Sequence, residues 1–292
     1  MFPEVATIHL VFSPLVFKYM IFLGLVITGI FVGIFSSFFG VGGGILIVPT
    51  LYTFFDFLPP QVVIATSLSL IFFNSCINTY NFIKSGVRPN FSFLIPVALA
   101  MVVGVILGGQ LTLILPPKTV KTIFSIFVFA IAIRTLVVKL KAQDDQNWKP
   151  NLDFKSRMIS VFVGLFGGAV AGMTGLGGGA VLVPLFITVL HIPFGFISAY
   201  SNACMVVGTF AGMLTYVLQP TPNFIFSYEI LEKGQLGFVN FSIVLALFLG
   251  SSVSSKFGVK LVKKVDPALS KKLFALLLVI VSIKIFVSVQ FS

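Results

Sequence analysis

Two glycine-rich segments are the most chemically suggestive part of this chain. The first reads Phe39-Gly40-Val41-Gly42-Gly43-Gly44-Ile45-Leu46-Ile47-Val48-Pro49, and the second reads Thr174-Gly175-Leu176-Gly177-Gly178-Gly179-Ala180-Val181-Leu182-Val183-Pro184. Four glycines in five residues break a helix. Each segment runs into a short apolar stretch, at about 45–57 and 180–191. At helical rise such a stretch spans roughly 18–20 Å, less than the roughly 30 Å hydrocarbon core of a bilayer. One end of each must then be recessed, and exposed backbone at that depth is tolerated only against protein or a wet cavity. A helix N-terminus favours an anion without any charged side chain. Gly42, Gly43, Gly44, Gly177, Gly178 and Gly179 are therefore candidate substrate-binding residues. A tight turn at a membrane surface, or close helix packing, would use the same glycines.

Uncharged polar groups punctuate the neighbouring apolar runs. Ser67, Asn74, Asn78 and Asn81 follow at spacings of 7, 4 and 3, and Asn202, Thr209 and Tyr216 at 7 and 7, so each set shares one helix face. Two readings stand side by side: interhelical hydrogen-bond glue, or a lining for the oxygens of an anion. On the second reading Thr66, Ser67, Asn74, Ser201, Asn202 and Thr209 complete the candidate substrate-binding set. Arg134 and Lys284 sit several residues inside their runs, where they either snorkel to the interface or attract anions.

Other chemistries lack their parts. Cys76 and Cys204 are far apart inside apolar runs and read as small core residues, so no disulfide framework and no metal site is indicated. The histidines are His9 and His191, and neither Gly-x-Ser-x-Gly nor His-Glu-x-x-His occurs. No catalytic residue, cofactor or enzymatic activity is expected. Asp56 is the one acid inside an apolar run before residue 139, and it stands at that run's end. No paired carboxylates form a proton relay of the usual kind. The membrane potential, worth roughly 2.3 kcal/mol per charge at 100 mV, could instead drive an anion outward.

The elements that must position these residues follow from composition. Of 292 residues 58% are hydrophobic and 9% charged, with a mean hydropathy of +1.11. A soluble domain carries roughly 25% charged residues. The chain cannot coat a soluble fold and reads as an all-α integral membrane protein. Its net charge of +11 sits in short loops between apolar runs, which is topogenic charge rather than a nucleic-acid surface. Met1 to Pro14 holds Glu4 and no basic n-region, so the first run reads as a retained span rather than a cleaved signal. Apolar runs fall at about 17–39, 45–57, 61–83, 91–115 and 119–138, then at about 157–173, 180–191, 195–218, 236–257 and 268–290. Between the two sets lies KLKAQDDQNWKPNLDFK, Lys139 to Lys155, which reads as a solvated linker.

The two sets repeat. A shift of 135 carries Gly40, Gly42, Gly43, Gly44 and Pro49 onto Gly175, Gly177, Gly178, Gly179 and Pro184, and Thr66-Ser67 onto Ser201-Asn202. A shift of 150 carries Asn90-Phe91-Ser92 onto Asn240-Phe241-Ser242, Gly108 onto Gly258 and Arg134 onto Lys284. One insertion near Gln219 to Gly234 makes up the difference. The division is a first transmembrane repeat over 1–141, a polar cytoplasmic linker over 142–156 and a second repeat over 157–292. With an odd parity of crossings per half, thirteen Lys and Arg lie on the linker's side and four opposite, which inverts one repeat against the other and puts both termini outside. Gly29/Gly33, Gly104/Gly108 and Gly168/Gly172 have the spacing of close helix packing.

The paired GxGGG segments, each followed by an apolar stretch with proline, together with Ala65-Thr66-Ser67-Leu68 in the third run, resemble the TauE/SafE family of sulfite exporters. The likeness covers about 17–290. It implies a multi-pass protein of the cell (inner) membrane that exports sulfite, organosulfonates or related small anions, with Thr66, Ser67, Ser201 and Asn202 nearest the centre. Inverted repeats rocking in alternating access are a common carrier design. A channel, or a carrier of other small organic anions, is the alternative. The implied partners are a small anionic substrate and the lipid bilayer, with no nucleic acid and with room for a homo-oligomer.

Overall fold

The computed structural model describes residues 14–55, 57–137, 148, 150, 151, 153–220, 234–262 and 264, with single positions and pairs between 269 and 287. Nine helices and one short hairpin are bounded within these residues. The helices are α1 (Pro14–Phe39), α2 (Gly44–Phe54), α3 (Pro60–Lys84), α4 (Phe91–Ile114), α5 (Pro117–Val137), α6 (Phe154–Thr174), α7 (Gly179–Thr188), α8 (Phe194–Val217) and α9 (Phe241–Val262). Six are long and apolar enough to cross a bilayer, namely α1, α3, α4, α6, α8 and α9, while α2 and α7 are the short apolar helices. Large apolar side chains face outward on several helices, with Phe31, Leu99, Leu107, Phe162 and Val253 each more than half exposed. Many serines, threonines and asparagines are buried instead, Ser37, Thr66, Asn78, Ser160 and Thr209 among them. That distribution suits a solvent made of acyl chains.

Helix packing joins one half of the chain to the other. α1 lies along α9 and α4 along α6, so the first helix of each half pairs with the fourth helix of the other. α3 crosses α8 at the centre. Glycines set the close approach at the two outer pairs. A Cβ at Gly29 would strike the backbone of Leu247, and one at Gly164 the backbone of Val97. Likewise Gly33 meets Ser251, and Gly168 meets Met101. The shift of 135 carries Gly29 and Gly33 onto Gly164 and Gly168, and the shift of 150 carries Val97 and Met101 onto Leu247 and Ser251. The two interfaces correspond residue by residue, and the glycine spacing seen in the sequence is packing.

The register between the halves slips once. α2 has 11 residues and α7 has 10. Pro59 before α3 and Pro193 before α8 take matching conformations, with φ of −58° and −60°. From that point the shift is 134 rather than 135. Thr66-Ser67 therefore corresponds to Tyr200-Ser201, which corrects the pairing with Ser201-Asn202. The physical reason is the shorter α7, which brings its chain into the next helix one residue sooner.

Two further features depart from the sequence reading. The hairpin, β1 (Gln235–Leu236) and β2 (Val239–Asn240), follows the insertion and delivers the chain into α9. Trp148, expected in a solvated linker, instead packs against Phe196 and Tyr200, with ring centroids 5.8 and 5.7 Å apart. An indole removes much apolar area from water, and α8 offers it an aromatic seat.

Candidate functional site

The glycine segments fold as two loops that meet. Gly40, Gly42 and Gly43 take φ of 71°, 72° and 91°, and Gly175, Gly177 and Gly178 take 72°, 70° and 80°. A side chain is strained in that region, so the glycines are required by the turn itself. Gly43 and Gly178 stand at the N-caps of α2 and α7, neither of which has a side-chain cap. The loops touch through backbone: a Cβ at Gly44 would meet Gly175 and Leu176, and one at Gly179 would meet Gly40 and Val41. The contacts are reciprocal, so the N-termini of α2 and α7 start from one shared centre. Both helices are buried there.

The third helix of each half fastens the other half's loop. Ser67 Oγ on α3 donates to the Gly175 carbonyl at 2.7 Å, and Ser201 Oγ on α8 donates to the Gly40 carbonyl at 2.6 Å. Their neighbours do a second job. The amide of Asn240 donates to Thr66 Oγ1 at 3.1 Å, and the amide of Asn90 donates to Tyr200 Oη at 3.0 Å. Asn90 and Asn240 in turn cap α4 and α9, accepting from the amides of Phe93 and Ile243. Thr66 thus reaches the start of α9 rather than the loops. Thr209 Oγ1 donates back to Met205 O in its own helix, at 2.6 Å.

Asn74 and Asn202 belong to a buried polar cluster beside the first loop. Asn78 Nδ2 donates to Ser36 Oγ at 2.9 Å and to Asn202 Oδ1 at 3.0 Å. Asn202 Nδ2 donates to the Ser198 carbonyl at 2.7 Å. Ser251 Oγ donates to Asn74 Oδ1 at 2.6 Å, and Asn81 Nδ2 donates to Ser255 Oγ at 3.0 Å. Ser36 joins the cluster to the loop, because its Cβ lies 3.5 Å from where a Cβ on Gly43 would stand. Asn74 Nδ2, Ser75 Oγ, Asn78 Oδ1 and Thr79 Oγ1 are buried and find no partner among the described residues. Leaving such groups unpaired costs about 1–3 kcal/mol each.

The equivalent place beside the second loop is apolar. Under the shifts of 135, 134 and 150, Ser36, Asn74, Asn78, Asn202, Ser251 and Ser255 correspond to Ala171, Gly208, Gly212, Leu68, Met101 and Val105. Met101 is fully buried. Its side chain would meet a Cβ at Gly178 at 2.7 Å and one at Gly208 at 2.6 Å. Val105 and Leu68 stand in the same way over Gly212, at 2.7 and 3.0 Å.

Ser36, Ser251 and Ser255 were not among the sequence candidates. Their signal was Ser36-Ser37 just ahead of the first glycine loop, and Ser251-Ser252-Val253-Ser254-Ser255 inside an apolar run. The side chain of Arg134, all of Lys284, Asp56 and His9 lie outside the described residues. Cys204 is buried and Cys76 half-buried, both as free thiols.

A polytopic helical protein with two broken helices meeting at a buried polar centre has the build of a membrane transporter. The model of the family "Sulfite exporter TauE/SafE" matches residues 25–285, and the chain belongs to that family. A probable membrane transporter protein of Haemophilus influenzae is 34% identical over 254 residues, covering 87% of this chain and 91% of the relative. The probable membrane transporter protein MJ0441 of Methanocaldococcus jannaschii is 27% identical over 263 residues, covering 86% and 90%. YunE of Bacillus subtilis, also a probable membrane transporter protein, is 24% identical over 293 residues, covering 94% and 100%. No solved structure matches the chain.

Proposed function

We propose that this chain is a secondary carrier that exports small sulfur-containing anions such as sulfite or organosulfonates. The observation that carries the reading is the meeting of the two glycine loops, which brings the N-termini of α2 and α7 to one buried centre. The leading amides of each helix have no intrahelical acceptor and lie at the positive end of its dipole. Gly42, Gly43, Gly44, Gly177, Gly178 and Gly179 supply that backbone. Asn74 and Asn202 supply polar side chains nearby, and Ser67 and Ser201 hold the loops in place. Thr66 and Thr209 support the shell from behind. The family description agrees with the substrate class.

The two halves act as inverted repeats, and rocking one against the other exposes the centre to each side in turn. In this reading residues 142–156 lie on the cytoplasmic side of the cell (inner) membrane and both termini outside, which the bias of Lys and Arg among the loops supports. The role is transport rather than catalysis. The membrane potential favours efflux of a monoanion.

The test is efflux from proteoliposomes loaded with sulfite, methanesulfonate, sulfate, chloride or acetate at clamped potential. The expected result is saturable, voltage-sensitive efflux of sulfite or the sulfonate, with counterflow, that Gly43→Val and Gly178→Val abolish. Non-saturable flux without counterflow would make the protein a channel. Flux of acetate in place of the sulfur anions would move the substrate to other organic anions. Absence of any flux from folded protein would end the transport reading.

A further inference from the structure

The two glycine loops are alike, yet their surroundings are not, and the difference defines a ligand. The hydrogen bonds around Asn78 fix the sense of its amide. Asn202 Nδ2 is committed to the Ser198 carbonyl, so Asn202 turns its Oδ1 toward Asn78. Asn78 must answer with Nδ2, which also reaches Ser36. Asn78 Oδ1 is thereby left as a buried acceptor with no donor among the described residues. Asn74 presents the opposite edge. Its Oδ1 takes the Ser251 hydroxyl at 2.6 Å, and its Nδ2 is left as a buried donor. The hydroxyls of Ser75 and Thr79, one position further along α3, are unpaired as well.

We infer that the carrier holds its anion on one side of the centre only, in the cluster of Asn74, Ser75, Asn78 and Thr79 beside Gly43. We further infer that the anion it selects bears a hydrogen-bond donor next to its charged oxygens. The inference rests on the transport reading above and names the substrate class of that site. Asn74 Nδ2 and the two hydroxyls supply donors for the negative oxygens. Asn78 Oδ1 is the exception, since a bare oxyanion edge would face it lone pair to lone pair. A hydroxyl or an acid proton on the ligand turns that repulsion into a hydrogen bond. Hydrogen sulfite and the hydroxyalkanesulfonates meet the requirement, and the simple alkanesulfonates do not. Asn74 is 3% exposed and Asn78 fully buried, so water competes poorly for either group. On the opposite side Met101, Leu68 and Val105 occupy the equivalent volume, and Thr209, the counterpart of Ser75, spends its hydroxyl on the Met205 carbonyl of its own helix.

A matched pair of ligands tests this at a single pH. 2-Hydroxyethanesulfonate and propane-1-sulfonate have the same charge and nearly the same size, and differ in one hydroxyl. Binding of each to the full-length protein in detergent is followed by the shift of its melting temperature and by titration calorimetry. The hydroxysulfonate is expected to bind at least about fivefold more tightly, as loss of a buried hydrogen bond implies. Asn78→Leu should erase the preference. Thr79→Val, which keeps its shape, should weaken both ligands and leave the ratio intact. The wild-type ratio decides the matter even if Asn78→Leu fails to fold. Equal affinities for the two sulfonates, with sulfite still carried in proteoliposomes, would overturn this inference and leave the transport reading standing. If no sulfur anion binds or moves, both fall.

Discussion

Beside Gly43 the molecule gathers Ser36, Asn74, Asn78, Asn202 and Ser251. At the equivalent positions near Gly178 it gathers Ala171, Gly208, Gly212, Leu68 and Met101. The backbone arrangement is nearly the same on both sides, down to which residue of one helix meets which residue of the next. The difference shows that architecture and chemistry are carried by separate positions. The glycines, the paired serines and the capping asparagines are shared, and they set where the helices start and cross. The polar cluster is not shared, and it gives one side of the centre a chemistry the other lacks.

That comparison is broken most severely at the shared positions. Gly44→Val and Gly179→Val each drive a branched side chain into the opposite loop's backbone, and overpacking against backbone has no soft neighbour to yield. Each should destabilise by more than about 3 kcal/mol and abolish monodisperse protein in size-exclusion chromatography. Unequal effects of the two would show that the loops do not support each other. Next in size is Met101→Ala, which empties the apolar side and should cost about 2–5 kcal/mol. Thermal unfolding in detergent should show the loss, while the preference among anions stays as in the parent chain. Ser67→Ala and Ser201→Ala come third, each leaving a buried loop carbonyl short of a donor at about 1–3 kcal/mol. Their drops in melting temperature should agree, and a large disparity would contradict the reciprocal fastening. Trp148→Ala is the mildest, at about 1 kcal/mol for its lost ring contacts. It should lower the melting temperature slightly without changing anion affinity.

Much of the scaffold was legible in the sequence because its causes are local. Runs of apolar residues fix the spans, and clustered glycines break the helices wherever they occur. The two glycine loops match in sequence because both turns need glycine at the same places. The spacing of Gly29 and Gly33 reads as packing for the same reason. The one-residue slip between α2 and α3 was missed because the glycines, and Pro49 with Pro184, keep a shift of 135, and the shorter α7 and the matched bonds of Ser67 and Ser201 reveal it. Thr66 looked like a lining residue, but its partner, the amide of Asn240, is 174 residues away in the chain. The polar cluster was half visible. Asn74 and Asn78 stand at helical spacing on α3, whereas Ser36 and Ser251 join them only through the pairing of α1 and α9. Trp148 was misplaced because a polar stretch says little about one indole's seat on a neighbouring helix.

The most direct test is to locate the anion itself. Selenite has the shape and charge of sulfite and scatters anomalously at the selenium edge. A crystal of the full chain grown with selenite should show one anomalous peak beside Gly43, within hydrogen-bonding reach of Asn74 and Asn78, and none beside Gly178 and Met101. Peaks of equal height on both sides, or a peak away from the glycine loops altogether, would contradict the account.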